Sequence, residues 1–195
     1  MLRLGSANKF LDCFATYAPK LWQDYGRHLD PLFAHDPKLK RVFSNSIFPA
    51  ATFNCGLRVV TLDHVDSTNV PFGLCAIFAC GSYDPIKGGH LILFDLGLVI
   101  QFPPGSTILV PSGTIRHGNV PIQPHETRQS FTQYCPGGLF RWVEFGFKPS
   151  YKKPEMQVFF RERHEERCQR AANLYSRLDE LQQDRDHVFN STTRY

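Results

Sequence analysis

The sequence predicts a mainly β fold with helical flanks, an α+β chain whose middle builds a sandwich or jelly roll. Three observations carry this reading. Short β-rich runs punctuated by Gly and Pro fill the stretch from Ile47 to Phe147, apolar residues at helical spacing precede it, and a charge-rich segment with scattered apolar positions follows it. At 195 residues, 42% hydrophobic and 21% charged, the chain can bury a full core, and wholesale disorder is excluded. The expected organisation is one domain with an N-terminal helical flank over 1–46, a β core over 47–147 and a C-terminal helical extension over 148–195.

Each element follows from local pattern. Between residues 7 and 40, Phe10, Phe14, Tyr17, Leu21 and Trp22 recur at three- and four-residue steps, which predicts an amphipathic helix broken at Pro19 or Pro31. Strand-like runs come at 57–62, 74–79, 98–102, 107–110 and 130–134. Lys87-Gly-Gly-His90 and Phe102-Pro-Pro-Gly-Ser106 permit tight reversals, and Gly88 and Gly89 also allow close approach of another strand or a ligand. From Pro154 to about Arg185, Met156, Phe159, Phe160, Leu174, Leu178 and Leu181 stand among charges, as in one or two helices with a solvated face; residues 161–167 belong to that face.

Several classes are disfavoured. No apolar run approaches the ~20 residues of a membrane span, and the N-terminus lacks an apolar stretch leading to a cleavage site, so an intracellular chain without a membrane is expected. Cys13, Cys55, Cys75, Cys80, Cys135 and Cys168 are dispersed without any Cys-x-x-Cys pair, as reduced core thiols rather than a zinc knuckle or disulfide scaffold. The sequon Asn190-Ser-Thr is a chance match in such a chain. A net charge of +4 suits a polyanionic partner, with Lys38, Lys40, Arg41, Lys148, Lys152 and Lys153 as a basic rim, although solvated lysines account for it equally well.

Four residues in the β region point to chemistry: His64 and Asp66 in Asp63-His-Val-Asp-Ser67, then His117, then Arg128. Residues i and i+2 of a strand share a face, so His64 and Asp66 can reach one ion while Val65 points away. Two histidines and a carboxylate on one face of Fe(II) leave open positions for a co-substrate and O2. A planar guanidinium soon after the second histidine can grip the far carboxylate of 2-oxoglutarate with two parallel hydrogen bonds. If their strands pair as neighbours, Arg128 lies beside His117. A lone His-x-Asp arises often by chance, and it is the ordered company of His117 and Arg128 that makes the pattern specific. The other histidines lack such company, and His28, His35, His164 and His187 are expected at the surface.

With those residues in place, Phe48-Pro-Ala-Ala-Thr-Phe-Asn54, His64-Val-Asp-Ser-Thr-Asn69, Gly88-Gly-His-Leu-Ile-Leu-Phe-Asp-Leu96, Phe102-Pro-Pro-Gly-Ser-Thr-Ile-Leu-Val-Pro111, Arg128-Gln-Ser-Phe-Thr-Gln-Tyr134 and Gly137-Gly-Leu-Phe-Arg-Trp142 resemble the TET/JBP dioxygenases, in particular the branch expanded in mushroom-forming fungi. The resemblance covers roughly residues 48–147. It implies a double-stranded β-helix of the jelly-roll, cupin-like kind and oxidation of a pyrimidine methyl in DNA, with Fe(II), 2-oxoglutarate and O2 as cofactor and co-substrates. Residue by residue it implies His64, Asp66 and His117 as metal ligands and catalytic residues, Arg128 and Ser130 on 2-oxoglutarate, and Asn69 near co-substrate and base. It further implies His90 as a co-substrate contact and Tyr134 stacking on a flipped base, for which a core strand aromatic is the plain alternative. The chain departs from the family in lacking a cysteine-rich extension and in placing Pro136 where a histidine is expected.

The resulting expectation is a monomeric, nuclear dioxygenase acting on a methylated base such as 5-methylcytosine in nucleic acid, DNA favoured over RNA. Two rivals stay open. One is a 2-oxoglutarate oxygenase for a protein or small molecule, and the other a catalytically silent, mobile-element-associated nucleic-acid-binding protein.

Overall fold

The computed structural model describes residues 13–152, 154, 155, 158, 161 and 163–190. Phe10, Lys153, Met156, Phe159, Phe160 and the Ser191-Thr192 of the sequon lie outside them. The chain forms two compact units, a β unit over Phe48–Cys135 and a helical unit of Met1–Ile47 with Pro136–Tyr195.

The β unit holds seven strands, β1 (Ala50–Asn54), β2 (Cys75–Ser82), β3 (Leu91–Leu93), β4 (Leu98–Ile100), β5 (Thr107–Val110), β6 (His117–Asn119) and β7 (Thr127–Tyr134). They form two antiparallel sheets in the orders β1-β7-β2-β5 and β4-β3-β6. An antiparallel bridge between His64 and His117 extends the smaller sheet beyond β6. Successive segments thus pass from sheet to sheet, the winding of a jelly roll or double-stranded β-helix, as expected. Cys75, Ala79, Leu91, Leu93, Phe102 and Val110 fill the space between the sheets.

Three local expectations need correcting. The run 57–62 is not a regular strand: Val59 N donates to Arg128 O and Arg128 N to Leu57 O, whereas Asn119 N donates to Thr61 O. A segment that changes partner from β7 to β6 within a few residues builds no continuous ladder, and its Leu57 and Leu62 stay exposed. Arg128 and His117 do not lie on paired strands, because β7 belongs to one sheet and β6 to the other. The strands end at Tyr134, and Gly137–Glu144, within the span expected to be β, is a helix.

The helical unit contains α1 (Pro19–His35), α2 (Gly137–Glu144), α3 (His164–Asn173) and α4 (Leu181–Asn190). Pro19 opens α1, where its missing N–H costs nothing, while Pro31 sits inside the helix without ending it. Ala18 leaves helical geometry at φ −141°, which shifts the phase of the preceding turn and leaves Tyr17 exposed while Phe14, Leu21 and Leu29 are buried. Tyr25 packs edge-on against both Phe14 and Phe140. α3 buries no residue, as expected of a solvated helix, but Leu178 falls in the turn before α4 and is exposed rather than packed. Among the described residues no helix is long and apolar enough to cross a membrane.

Candidate metal centre and its cavity

A cavity of about 320 Å³ opens in the β unit, and the strand alternation decides what lines it. Arg128, Ser130, Thr132 and Tyr134 all face it from β7, the i, i+2, i+4, i+6 set of one strand face. Thr52 and Asn54 enter from β1, Cys75 and Ile77 from β2, Leu91 from β3, and His117 and Asn119 from β6. His64, Asp66 and Asn69 come from the connection before β2.

His64, Asp66 and His117 converge, each offering one ligand atom within 4.8 Å of the others. His64 Nε2 lies 3.5 Å from Asp66 Oδ1, near the separation of about 3 Å expected of adjacent ligands bound at about 2.1 Å to one ion. Both imidazoles are oriented from behind. His64 Nδ1 is 2.8 Å from Leu62 O and His117 Nδ1 is 2.9 Å from Ile115 O, so each Nδ1–H donates to a carbonyl and each Nε2 lone pair is left for an ion. Burial holds the His117 imidazole below its usual pKa, which favours the neutral, ligating form. Gly118 makes the approach possible, since a Cβ there would lie 2.8 Å from Thr61 O, on the segment that carries His64 to β6. Two free imidazole nitrogens and a carboxylate oxygen are a donor set that fits Fe(II).

Arg128 is 2% exposed, and among the described residues no carboxylate lies within ion-pair distance of it. Its Nη1 donates to Val59 O at 3.2 Å, its guanidinium also meets the Tyr83 hydroxyl, and its buried Nε has no partner. Burial lowers its pKa, but not enough to discharge a guanidinium. A buried cation with donors to spare and no anion is a seat for an anionic group. Ser130 is beside it, and because Asn54 Nδ2 donates to Ser130 Oγ at 3.0 Å, the Ser130 hydroxyl proton stays free for an incoming oxygen.

Tyr134 lines the cavity half-buried, its ring packed against the core cluster and its hydroxyl 3.5 Å from Thr52 Oγ1. Asn69 also lines it, but its side-chain amide is bound to Asp66 Oδ2 and Ser112 Oγ, both at 3.2 Å. His90 is not among the lining residues. It directly precedes β3, whose Leu91 lines the cavity, and the glycines before it stand close to other segments: a Cβ on Gly89 would meet the Tyr83 ring at 2.5 Å, and one on Gly88 would meet Pro121 O at 2.5 Å. Sequence reasoning missed Asn54, Ser112 and Asn119. Asn119 follows from the alternation, being two residues past His117; nothing local marks Ser112.

The remaining expectations divide. His35, His125, His164 and His187 are exposed, whereas His28 is buried in the helical unit, because a polar network awaits it there. Cys75 and Cys135 are buried, and burial pushes the Cys75 thiol up to about 12; Cys55 and Cys168 are exposed rather than core. Lys38, Lys40, Lys148 and Lys152 are exposed in the helical unit, where His35 stacks on Phe147 at 3.8 Å and so brings their two segments together. Arg41 is paired with Asp30 at 2.5 Å.

No protein-family model and no curated protein matches the chain. Solved structures that it resembles include NgTET1 in complex with 5mC DNA, at 14% identity and a TM-score of 0.43 over 58% of this chain and 47% of that one. Another is the viral collagen prolyl hydroxylase vCPH of Paramecium Bursaria Chlorella virus-1 in its 2OG complex, at 12% identity and a TM-score of 0.30 over 55% and 68%. The matched region is about half the length of the NgTET1 chain.

Proposed function

We propose that this chain is an Fe(II)- and 2-oxoglutarate-dependent dioxygenase that oxidises a methylated nucleobase, of the 5-methylcytosine kind, in DNA or RNA. The carrying observation is that one cavity joins the His64, Asp66, His117 donor set to a buried Arg128 that has no carboxylate partner among the described residues. With O2 and 2-oxoglutarate, Fe(II) held by these three side chains would supply the oxidising power that puts oxygen into a C–H bond. Arg128 would hold the distal carboxylate of 2-oxoglutarate by charge-assisted hydrogen bonds, and the Ser130 hydroxyl would donate to the same group. Tyr134 would offer its ring face to an extruded base, replacing stacking lost on leaving the helix.

Charge supports a nucleic-acid partner in a particular way. The β unit carries four cationic residues, Arg58, Lys87, Arg116 and the buried Arg128, against five acidic ones, Asp63, Asp66, Asp84, Asp95 and Glu126. The surplus behind the net +4 therefore belongs to the helical unit, whose exposed Lys38, Lys40, Lys148 and Lys152 suit a polyanionic partner. The cavity lining supports a second reading, an oxygenase for a neutral polar side chain or small molecule, because apart from Arg128 its polar walls present hydroxyls and amides rather than cations.

The test is mass spectrometry of nucleosides from methylated DNA and RNA incubated with the protein, Fe(II) and 2-oxoglutarate. Hydroxymethylated base is expected. Succinate release without any base oxidation in either polymer would move the function to the second reading, and no succinate release would refute the oxygenase.

A further inference from the structure

We propose that Asn69 and Ser112 are positioning residues that hold Asp66 as a one-oxygen metal ligand, an inference resting on the metal centre above. Asp66 is fixed on several sides. Its backbone N donates to Ser112 O at 2.9 Å, its own carbonyl accepts from Asn69 N at 2.9 Å, and its Oδ2 accepts from Asn69 Nδ2 at 3.2 Å. The second proton of that amide goes to Ser112 Oγ, also at 3.2 Å. Asn69 is 8% exposed and Ser112 1%, so water cannot readily take over either contact.

The consequence concerns which oxygen is free. An amide NH2 has two protons, and both are used inside the protein, so the nitrogen of Asn69 has none left for a substrate or co-substrate. Asp66 Oδ2 is occupied by that amide, which leaves Oδ1 on the side of His64 Nε2, 3.5 Å away. A carboxylate so tied presents one oxygen and resists rotation toward two-oxygen binding, which would close a position that the chemistry needs open. Ser112 anchors the arrangement to a remote element. It follows β5 directly after Pro111, its backbone N donates to Val110 O at 2.8 Å, and its hydroxyl meets the buried Cys75 thiol on β2. The Asp66 loop is thus pinned to the larger sheet while His117 rides on the smaller one.

The experiment titrates the full chain with Co(II) alone, following the visible absorption of the bound ion, with neither 2-oxoglutarate nor nucleic acid present. Wild type should bind one equivalent, and Asn69→Ala should bind about 10–100-fold more weakly, the usual cost of losing an outer-shell partner, with an altered Co(II) spectrum. Ser112→Ala should move affinity and spectrum in the same direction by less, and it keeps the test decisive if circular dichroism shows Asn69→Ala unfolded. Wild-type Co(II) affinity and spectrum in either folded variant, with only the 2-oxoglutarate or substrate KM raised, would overturn the proposal and return Asn69 to ligand contact. Failure of wild type itself to bind Co(II) would instead overturn the metal centre, and the positioning role with it.

Discussion

Each unit of this protein contains a cluster of histidine and carboxylate, and the two could hardly differ more in what they leave open. In the helical unit, Asp24 and His28 on α1 meet Glu144 of α2 and Arg170 of α3. Asp24 Oδ1 lies 2.7 Å from Arg170 Nη2, His28 Nδ1 is 2.8 Å from Asp24 O and 3.5 Å from its Oδ2, and His28 Nε2 is 3.6 Å from Glu144 Oε1. The His28 ring lies flat on Phe140 at 4.1 Å. Every polar edge of that histidine is answered within the fold, so the cluster joins helices. In the β unit, only the Nδ1 edges of His64 and His117 are answered by carbonyls, and both Nε2 atoms face a cavity with a carboxylate oxygen. Residue type does not separate a candidate ligand set from a structural network; the convergence of two imidazole nitrogens and a carboxylate oxygen at an open cavity does.

The sharpest way to break this comparison is to remove one histidine from each cluster. An ion bound at 100 times its dissociation constant stabilises the fold by about 2.7 kcal/mol. His117→Ala should abolish that metal-induced rise in melting temperature and all base oxidation, whereas His28→Ala should lower the metal-free melting temperature and keep the metal-induced rise. Differential scanning fluorimetry with and without Co(II) reads both. If His28→Ala lost the metal response and His117→Ala kept it, the assignment of the two clusters would be reversed.

Arg128 sharpens the comparison next. Arg170 already has Asp24, but Arg128 has no carboxylate among the described residues, so its charge should be answered by 2-oxoglutarate. Truncating one partner of a buried charge pair costs about 2–5 kcal/mol, so Arg128→Ala should weaken 2-oxoglutarate binding by about two orders of magnitude. Co(II) affinity should stay within about twofold. Arg128→Lys should not restore binding, because an ammonium lacks the planar two-point grip. Isothermal titration with 2-oxoglutarate on Co(II)-loaded protein measures this; equal loss of Co(II) would make the arginine structural.

The legibility of the site in the sequence has a physical boundary. The convergence of His64, Asp66, His117 and Arg128 on one cavity was readable because metal and anion chemistry call for particular residue types in a particular order, and the face of β7 was readable because alternation is strict. Ser112 was not, since its importance comes from β5 delivering it to Asp66, a contact across the fold. His90 entered through the resemblance alone; it is not among the residues lining the cavity, and Gly88 and Gly89 make room for Pro121 and the Tyr83 ring. The run 57–62 read as a strand from composition, but its residues bond first to β7 and then toward β6, a change of partner that composition cannot encode. His28 looked like a surface residue because its partners Glu144 and Arg170 are far off in sequence.

Tyr134 carries a smaller effect. Its ring belongs to the core cluster and to the cavity wall, so the two roles have to be separated by what each substitution keeps. If a base stacks on it, Tyr134→Ala should cost about 1–3 kcal/mol in affinity for a methylated oligonucleotide, while Tyr134→Phe should retain it, the hydroxyl having a 3.5 Å contact with Thr52 at stake and little more. Fluorescence anisotropy on labelled oligonucleotide decides the point. Unchanged affinity in the folded Tyr134→Ala protein would give the site to the small-molecule or protein reading.

The smallest expected effect is a difference in sign between the two histidines as pH changes. Burial opposes the charged form of His28, but hydrogen bonding to Glu144, the Asp24 carbonyl and the charges of Asp24 and Glu144 outweigh it, so its pKa stands above the ordinary 6.5. A folded-state pKa above the unfolded one gives stabilisation that is complete below 6.5 and is lost as pH rises through the folded value. For His117 burial dominates and the pKa stands below 6.5, so its contribution to the metal-free protein is present above 6.5 and is lost as pH falls through the folded value. Melting temperatures of metal-free protein across this range should therefore respond oppositely to two conservative changes. His28→Gln removes the contribution that fades with rising pH and should tilt the curve upward toward alkaline pH, whereas His117→Gln removes the one that fades with falling pH and should tilt it the other way. The same tilt in both variants would mean that the two histidines sit in like environments and that the contrast between a cluster closed within the fold and one open to a cavity is wrong.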